Sequence, residues 1–251
     1  MLYGVFSDVH SNIEALSVVL DFFRKSKTEA YICSGDIVGY GPNPNECVAL
    51  LSGLPRLSVV CGNHDLAVIG KMDVSWFNIY ARSAIIWTRS SLSEESRLFL
   101  EGLNPNFKSP EFSICHGTPR NSSEEYLLTL TQFLDNIDRV SSWPLFVGHT
   151  HLPLCFRFSK DQKIEVEELI FKNEEKIILE KIENAFAPVA LNPGSVGQPR
   201  DHDWRASCAL YDSEKGSFQV FRLEYDKAET QKKIMKAGLP EYLARRLNSG
   251  Q

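Results

Sequence analysis

The 251-residue chain lacks any uninterrupted apolar run near the ~18 residues that a membrane span needs. Asp8 and His10 break up the first apolar stretch, and no basic segment precedes it, so no secretory signal is expected. Cys33, Cys47, Cys61, Cys115, Cys155 and Cys208 never fall in Cys-x-x-Cys spacing. That speaks against a zinc ribbon or a disulfide framework, and for buried thiols in a reducing, cytoplasmic compartment. Positive charge is also short. Lys and Arg total 27 against 32 Asp and Glu, a formal net charge of -5. A duplex-binding protein would need a basic footprint, so neither nucleic acid nor membrane is an expected partner. No repeat, low-complexity tail or linker interrupts the chain, and one domain over residues 1–251 is expected.

What is present is core material in short alternating runs. Hydrophobic residues make up 43% of the chain, enough for one substantial core without staples. Leu2–Phe6, Tyr31–Cys33, Leu57–Cys61, Phe112–Cys115 and Leu145–Val147 read as strands, each emptying into a polar turn. Between them, helical spacing runs from Ile13 to Phe23 with a capping box expected from Ser11 and Glu14. Helices are also expected over Asp73–Thr88, from Ser93 to Phe99, and over Ser123–Asp138. The apolar stripe Trp76, Ile79, Tyr80, Ala84 and Trp87 is expected to pack into the core rather than serve as a dimer face. After residue 152 the texture changes to hairpin strands: Leu154–Phe158, Lys163–Leu169, Lys176–Ile182, Pro188–Leu191, Ala206–Tyr211 and Ser217–Leu223. A Lys-rich helix, Lys227–Lys236, follows, then a short one over Tyr242–Leu247.

The informative regularity lies at the strand ends. Five apolar runs terminate in Asp8/His10, Asp36, Asn63/His64, His116 and His149/His151, which together hold five of the six histidines. In α/β proteins the loops at strand ends converge, so residues distant in sequence can meet in one pocket. Carboxylate, amide and imidazole together suit borderline divalent ions. Asp36, at a tight glycine turn, can offer one carboxylate oxygen to each of two ions. Gly35, Gly62, Gly117 and Gly148 flank these residues, where a β-carbon would crowd a close approach.

Asp8-Val9-His10, Gly35-Asp36, Gly62-Asn63-His64-Asp65, His116-Gly117 and Gly148-His149-Thr150-His151 resemble, in order, the five blocks of the calcineurin-like metallophosphoesterases. The stretches Gly35–Pro44 and Asn192–Arg200 resemble the small prokaryotic branch labelled phosphodiesterase-like or diadenosine-tetraphosphatase-like. The resemblance implies an α/β (by some schemes α+β) four-layer fold, a central β-sandwich flanked by helices. It implies that Asp8, His10 and His151 hold one metal, that Asn63, His116 and His149 hold a second, and that Asp36 bridges them. The ions implied are divalent transition metals drawn from manganese, iron, zinc, nickel or cobalt. His64 would stand over the leaving group as a general acid, a role compatible with its ~6.5 reference pKa.

The activity implied is hydrolysis of a phosphomonoester, phosphodiester or nucleotide anhydride. The expected partner is a small phosphorylated substrate, with nucleotides in scope, for a chain that is a monomer or a homo-oligomer. Protein phosphatases of the superfamily carry an Asp-Arg pair after the bridging aspartate and an arginine before the Gly-Asn-His block. Gly39, Tyr40 and Cys61 stand at those places, which weakens the phosphoprotein reading and leaves His64 without an assigned orienting acid. Arg120, Arg200 and Arg205 are the candidate substrate clamps. A non-catalytic metal-binding scaffold on the same fold is the alternative from another class.

Overall fold

The structure, a computed structural model, describes residues 1–158, 166–182 and 185–251. In its first half, strands β1 (Leu2–Phe6), β2 (Ala30–Cys33) and β3 (Leu57–Val59) alternate with helices α1 (Ile13–Lys25), α2 (Pro44–Ser52) and α3 (Asn63–Val68). Helices α4 (Ile79–Ser91) and α5 (Glu94–Glu101) follow, then β4 (Asn106–Lys108), β5 (Ser113–Cys115), α6 (Leu130–Leu134) and β6 (Leu145–Phe146). The second half runs through β7 (Pro153–Phe158), β8 (Val166–Ile170), β9 (Lys176–Ile178), β10 (Lys181–Ile182) and β11 (Ala185–Phe186). It ends with β12 (Val189–Pro193), β13 (Ala206–Asp212), β14 (Ser217–Leu223), α7 (Lys227–Lys236) and α8 (Glu241–Arg245).

Among the described residues these strands build two six-stranded sheets, ordered β3-β2-β1-β13-β14-β9 and β4-β5-β6-β12-β7-β8, and a two-stranded one, β10-β11. β1 pairs in parallel with β2 and antiparallel with β13, so the two halves of the chain share one sheet. The period-two alternation of strands decides what each face buries. Tyr3, Val5 and Ile32 point between the sheets, where they meet Phe146, Leu191, Tyr211 and Phe218. Phe6 and Cys33 point the other way, into a cluster with Leu16, Val19 and Phe23 of α1. A β-carbon on Gly4 would lie 2.7 Å from the Phe23 ring, so the glycine lets α1 press directly on the strand. Phe133, just inside α6, covers the second sheet together with Leu127, Leu145 and Phe156. The result is a β-sandwich with helices outside it, as the family resemblance implied. No helix among the described residues is long and apolar enough to cross a membrane.

Several local expectations are corrected. The α1 cap is Asn12, whose side chain accepts from Ala15 N, not Ser11. Glu14 instead accepts from Thr230 Oγ1 at 2.9 Å and pairs with Lys233, tying α1 to α7. The helix expected over Ser123–Asp138 is reduced to α6 and a 3-10 turn at Ile137–Arg139. Thr129 starts α6 afresh with a capping box to Gln132, while the preceding segment is folded back by Gly117 N–Ser122 O and Thr118 N–Asn121 O bonds. The helix expected from Asp73 begins at Ile79, where the Asn78 side chain accepts from Tyr80 N and Ala81 N. Trp76 and Ile79 are consequently 83% and 76% exposed, against the expectation that they pack in the core. Lys176–Ile182 is broken into β9 and β10, and β4 is a strand that propensity did not indicate. The start of the strand expected at Lys163 lies outside the described residues; β8 is seen from Val166.

Candidate metal centre

β1 and β2 lie side by side in parallel, so their carboxyl ends deliver Asp8 and Asp36 to one edge. The strands stop at Phe6 and Cys33, and the chain turns sharply at once. Asp8, His10, Asp36, His149 and His151 all adopt left-handed backbone, with φ between 48° and 66°. For non-glycine residues this costs on the order of 1–3 kcal/mol each, and it persists only where neighbours over-determine it. Here the loops brace one another: Asp8 N donates to Gly35 O, His10 N to Asp36 O and Gly197 N to Asp8 O, all at 2.9–3.0 Å. The turned backbone aims the side chains inward instead of along the alternating faces of a strand.

Two donor sets result. In the first, one atom from each of Asp8, His10, Asp36 and His151 lies within 4.8 Å of every other; Asp36, His116 and His149 form the second. The histidine tautomers are set from behind. His10 Nδ1, His116 Nδ1 and His151 Nδ1 sit 3.2, 2.7 and 2.6 Å from the carbonyls of Val38, Ser34 and Gln198. A carbonyl can only accept, so each Nδ1 carries a proton, and in the neutral ring Nε2 keeps the lone pair. The Nε2 atoms of His10 and His151 then face each other at 3.1 Å, two acceptors with no proton between them unless one ring is charged. His149 reverses the arrangement: Nε2 lies 3.4 Å from Glu124 O, while Nδ1 lies 3.1 Å from His116 Nε2. Asn63 Oδ1 joins that set at 3.2 Å from His116 Nε2. Converging lone pairs and carboxylates at these separations fit divalent cations.

Asp36 reaches both sets through one oxygen. Its Oδ2 is 3.7 Å from His10 Nε2 and 3.3 Å from His116 Nε2, whereas Oδ1 accepts from the His64 backbone N–H at 2.9 Å. Oδ2 thus faces both donor sets. A β-carbon on Gly62 would lie 2.0 Å from Asp36 Oδ1, so only glycine leaves room for this carboxylate. Burial opposes charge on Asp36, but the His116 and His64 imidazoles around it hold its pKa well below the carboxylate range. Burial likewise works against His116, yet Asp36 and then Asp8 raise its pKa to about 9. His149 moves the other way, to about 3, through burial and the neighbouring His116.

The comparisons with known proteins agree with this geometry. Residues 1–216 match the model of the calcineurin-like phosphoesterase superfamily domain. An uncharacterised protein of Methanocaldococcus jannaschii is 39% identical over 258 residues, covering 100% of this chain and 98% of its own. The chain belongs to the calcineurin-like phosphoesterase superfamily. A metallophosphoesterase of Sphaerobacter thermophilus superposes with a TM-score of 0.88 at 36% identity, covering 100% of this chain and 99% of that one. A hypothetical protein of Pyrococcus horikoshii, 20% identical, shares the fold with a TM-score of 0.77 over 100% of this chain and 98% of its own.

In this superfamily member, both donor sets open into a cleft of about 830 Å³ that Asp36, Asn63, His64, His149 and His151 help to line. His64 is buried there, its ring 4.4 Å from Tyr40, 4.9 Å from His10 and 5.0 Å from Phe77. Burial lowers its pKa to about 4, so the reference value of ~6.5 does not carry over to this site. Among the described residues no side chain hydrogen-bonds its Nδ1, and a β-carbon on Gly39 (φ +95°) would lie 2.5 Å from that atom. Asp65 points elsewhere, accepting from the backbone N–H groups of Ile37, Val38 and Gly62.

The three arginines separate. Arg200 lines the cleft, with NH2 3.5 Å from Tyr40 Oη and 3.3 Å from Gln198 Oε1. Arg120 is engaged by Glu125 and lies 3.7 Å from Asp135; Arg205 is engaged by Asp203 at 2.7 Å; neither lines the cleft. The sequence reading passed over Tyr126, which stacks on His149 at 3.9 Å, and Arg246, which lines the cleft beside Arg200. No local pattern marks either, since an aromatic or an arginine on an exposed helix or loop is ordinary.

Proposed function

We propose that this chain is a metal-dependent hydrolase of a small phosphate ester or anhydride, acting on the floor of the cleft. One observation carries the reading: two buried donor sets share Asp36 Oδ2 and open onto His64 and Arg200. Asp8, His10, Asp36 and His151 would hold one ion, and Asp36, Asn63, His116 and His149 the other. A paired centre supplies charge stabilisation of phosphoryl oxygens and an activated water. Two imidazoles in each set favour a transition metal (manganese, iron, zinc, nickel or cobalt) over magnesium.

The remaining chemistry falls to the chain. Arg200, with no carboxylate side chain paired to it among the described residues, is free to neutralise a phosphoryl oxygen. His64 keeps Nδ1 enclosed beside Gly39, which leaves Nε2 as the nitrogen available to substrate. Protonated in the field of the bound phosphate, it hands that proton from Nε2 to the departing oxygen. Six buried cysteines, none in Cys-x-x-Cys spacing, support a cytoplasmic setting, and one domain over the whole chain fits the shared sheet.

A hydrolysis screen in added manganese, zinc, iron, nickel or cobalt tests the reading, with His64→Ala as the diagnostic variant. H64A is expected to retain its metals and to lose ~10²–10⁴ in rate on an alkyl phosphate, where the leaving group is poor. Wild-type rate in H64A would remove the acid role. No turnover by wild type in any metal would favour the scaffold reading.

A further inference from the structure

Part of the cleft lining has no part in the chemistry above. It is aromatic and exposed. Trp76 is 83% exposed, Tyr80 and Tyr242 are 40% and 44% exposed, and all three line the cleft. Tyr80 and Tyr242 stack with their centroids 4.4 Å apart and their planes 22° apart, so the shelf is pre-ordered. Asn78 caps α4 directly beneath it and fixes where Tyr80 leaves the helix. Large apolar side chains held this far out of the core are costly to hydration unless something covers them.

Between this shelf and the metal centre stand two cations. Arg200 and Arg246 both line the cleft, and among the described residues neither is paired with a carboxylate side chain. Arg200 Nε is buried without a partner, and Arg246 spends its Nε on the Gln251 main-chain oxygen. The Arg246 guanidinium lies 5.8 Å from the Tyr40 ring and 5.5 Å from the Tyr242 ring, which joins the cationic zone to the shelf. Burial, and after it the neighbouring charge of Arg200, depress the Arg246 pKa. Two guanidinium groups that line one cleft, neither paired with a carboxylate side chain among the described residues, suit an anion between them.

We propose that Trp76, Tyr80 and Tyr242 form a base subsite, with Arg200 and Arg246 holding a phosphate between it and the scissile one. The substrate class assigned is therefore a nucleotide with at least two phosphates. The assignment rests on the hydrolytic reading of the metal centre for its chemistry, but not for its binding. Hydrolysis adds one water: a P–O bond forms from its oxygen, the P–O bond to the bridging oxygen breaks, and the proton passes to the departing phosphate or to solvent. Tyr242 and Arg246 lie beyond residue 216, outside the segment that matches the family model, although the full-length relatives align over this part of the chain as well.

The test compares ADP with inorganic pyrophosphate, which has the phosphates without the ring, on the manganese-supplemented full-length protein. Stacking a base on an aromatic side chain is worth about 5- to 150-fold in affinity. Trp76→Ala is expected to lower the ADP-to-pyrophosphate ratio of kcat/KM by that factor, and Arg246→Gln to raise KM for both compounds. Because Trp76 is exposed, W76A removes no core contact. In parallel, ADP should quench the intrinsic tryptophan fluorescence saturably in wild type, less in W76A, while pyrophosphate does not. That arm needs no turnover: ADP-specific quenching in a protein that hydrolyses nothing would end the hydrolytic reading and uphold the subsite. Hydrolysis of both compounds with an unchanged ratio in W76A and no ADP-specific quench would overturn the subsite and leave hydrolysis standing. A dimer in light scattering that W76A converts to monomer, with nucleotide binding unaltered, would also overturn it, making the shelf a contact between copies.

Discussion

Asp36 divides its carboxylate between two duties. Oδ1 is committed to the His64 backbone N–H at 2.9 Å, and Oδ2 faces both donor sets. Asn has the same shape and can keep the first duty through its amide oxygen, but it brings a neutral NH₂ donor to the second. Asp36→Asn is therefore expected to fold normally, to hold fewer than two metals per chain by elemental analysis, and to lose at least ~100-fold in rate. Two tightly held metals and wild-type turnover in D36N would refute the shared-oxygen arrangement. At this scale the strand-end pattern marked Asp8, His10, Asp36, Asn63, His116, His149 and His151 before any fold was known. It did so because a metal-capable residue directly after an apolar run is a short-range signal. The arginines had no such signal: Arg120, Arg200 and Arg205 look alike in the sequence, and only the positions of Glu125 and Asp203 take two of them out of the cleft.

Among the elements, α4 departs most from its periodicity. The spacing from Trp76 to Trp87 suggested one continuous buried face, but Asn78 interrupts it by capping Tyr80 N and Ala81 N. Helix propensity cannot register this, because a side chain that satisfies orphan N–H groups starts a helix wherever it stands. Ala81, Ala84 and Ile85 do pack inward, and the residues before the cap are left to line the cleft. Asn78→Ala is expected to cost about 1 kcal/mol, lowering Tm by roughly 2–4 °C for a chain of this size. Calorimetry checks this directly. A variant as stable as wild type would mean that packing, not the cap, sets where α4 begins. The segment from Ser123 to Thr129 follows the same logic: a helix is expected to start at Ser123, but Glu124 O sits behind His149 and α6 starts only at Leu130.

For the whole molecule, the metal centre is a junction. β1 and β2 bring in Asp8 and Asp36 from one sheet, the turns after β5 and β6 bring in His116, His149 and His151 from the other, and each lies at a loop braced by the next. Ions bound to such a site stabilise the folded state, because the unfolded chain cannot gather the ligands. Chelation with excess EDTA is expected to lower Tm by several degrees, and manganese or zinc to restore it. If Tm is indifferent to both, the donor sets do not hold metal tightly in the folded protein.

The sequence by itself determined the strand-and-turn order and the identity of the metal-capable residues. These depend on hydrophobic alternation and on contacts along a few residues, which the chain carries locally. Tertiary structure alone decided how His64 is held, by Tyr40 and Phe77 with no carboxylate on its Nδ1 among the described residues, because Gly39 brings bare backbone against that atom. It also decided that Arg246 and Tyr242, more than 170 residues from Asn63 and His64, line the same cleft. Such neighbours meet only when two sheets and the C-terminal helices have packed, and no local preference of the chain encodes that meeting.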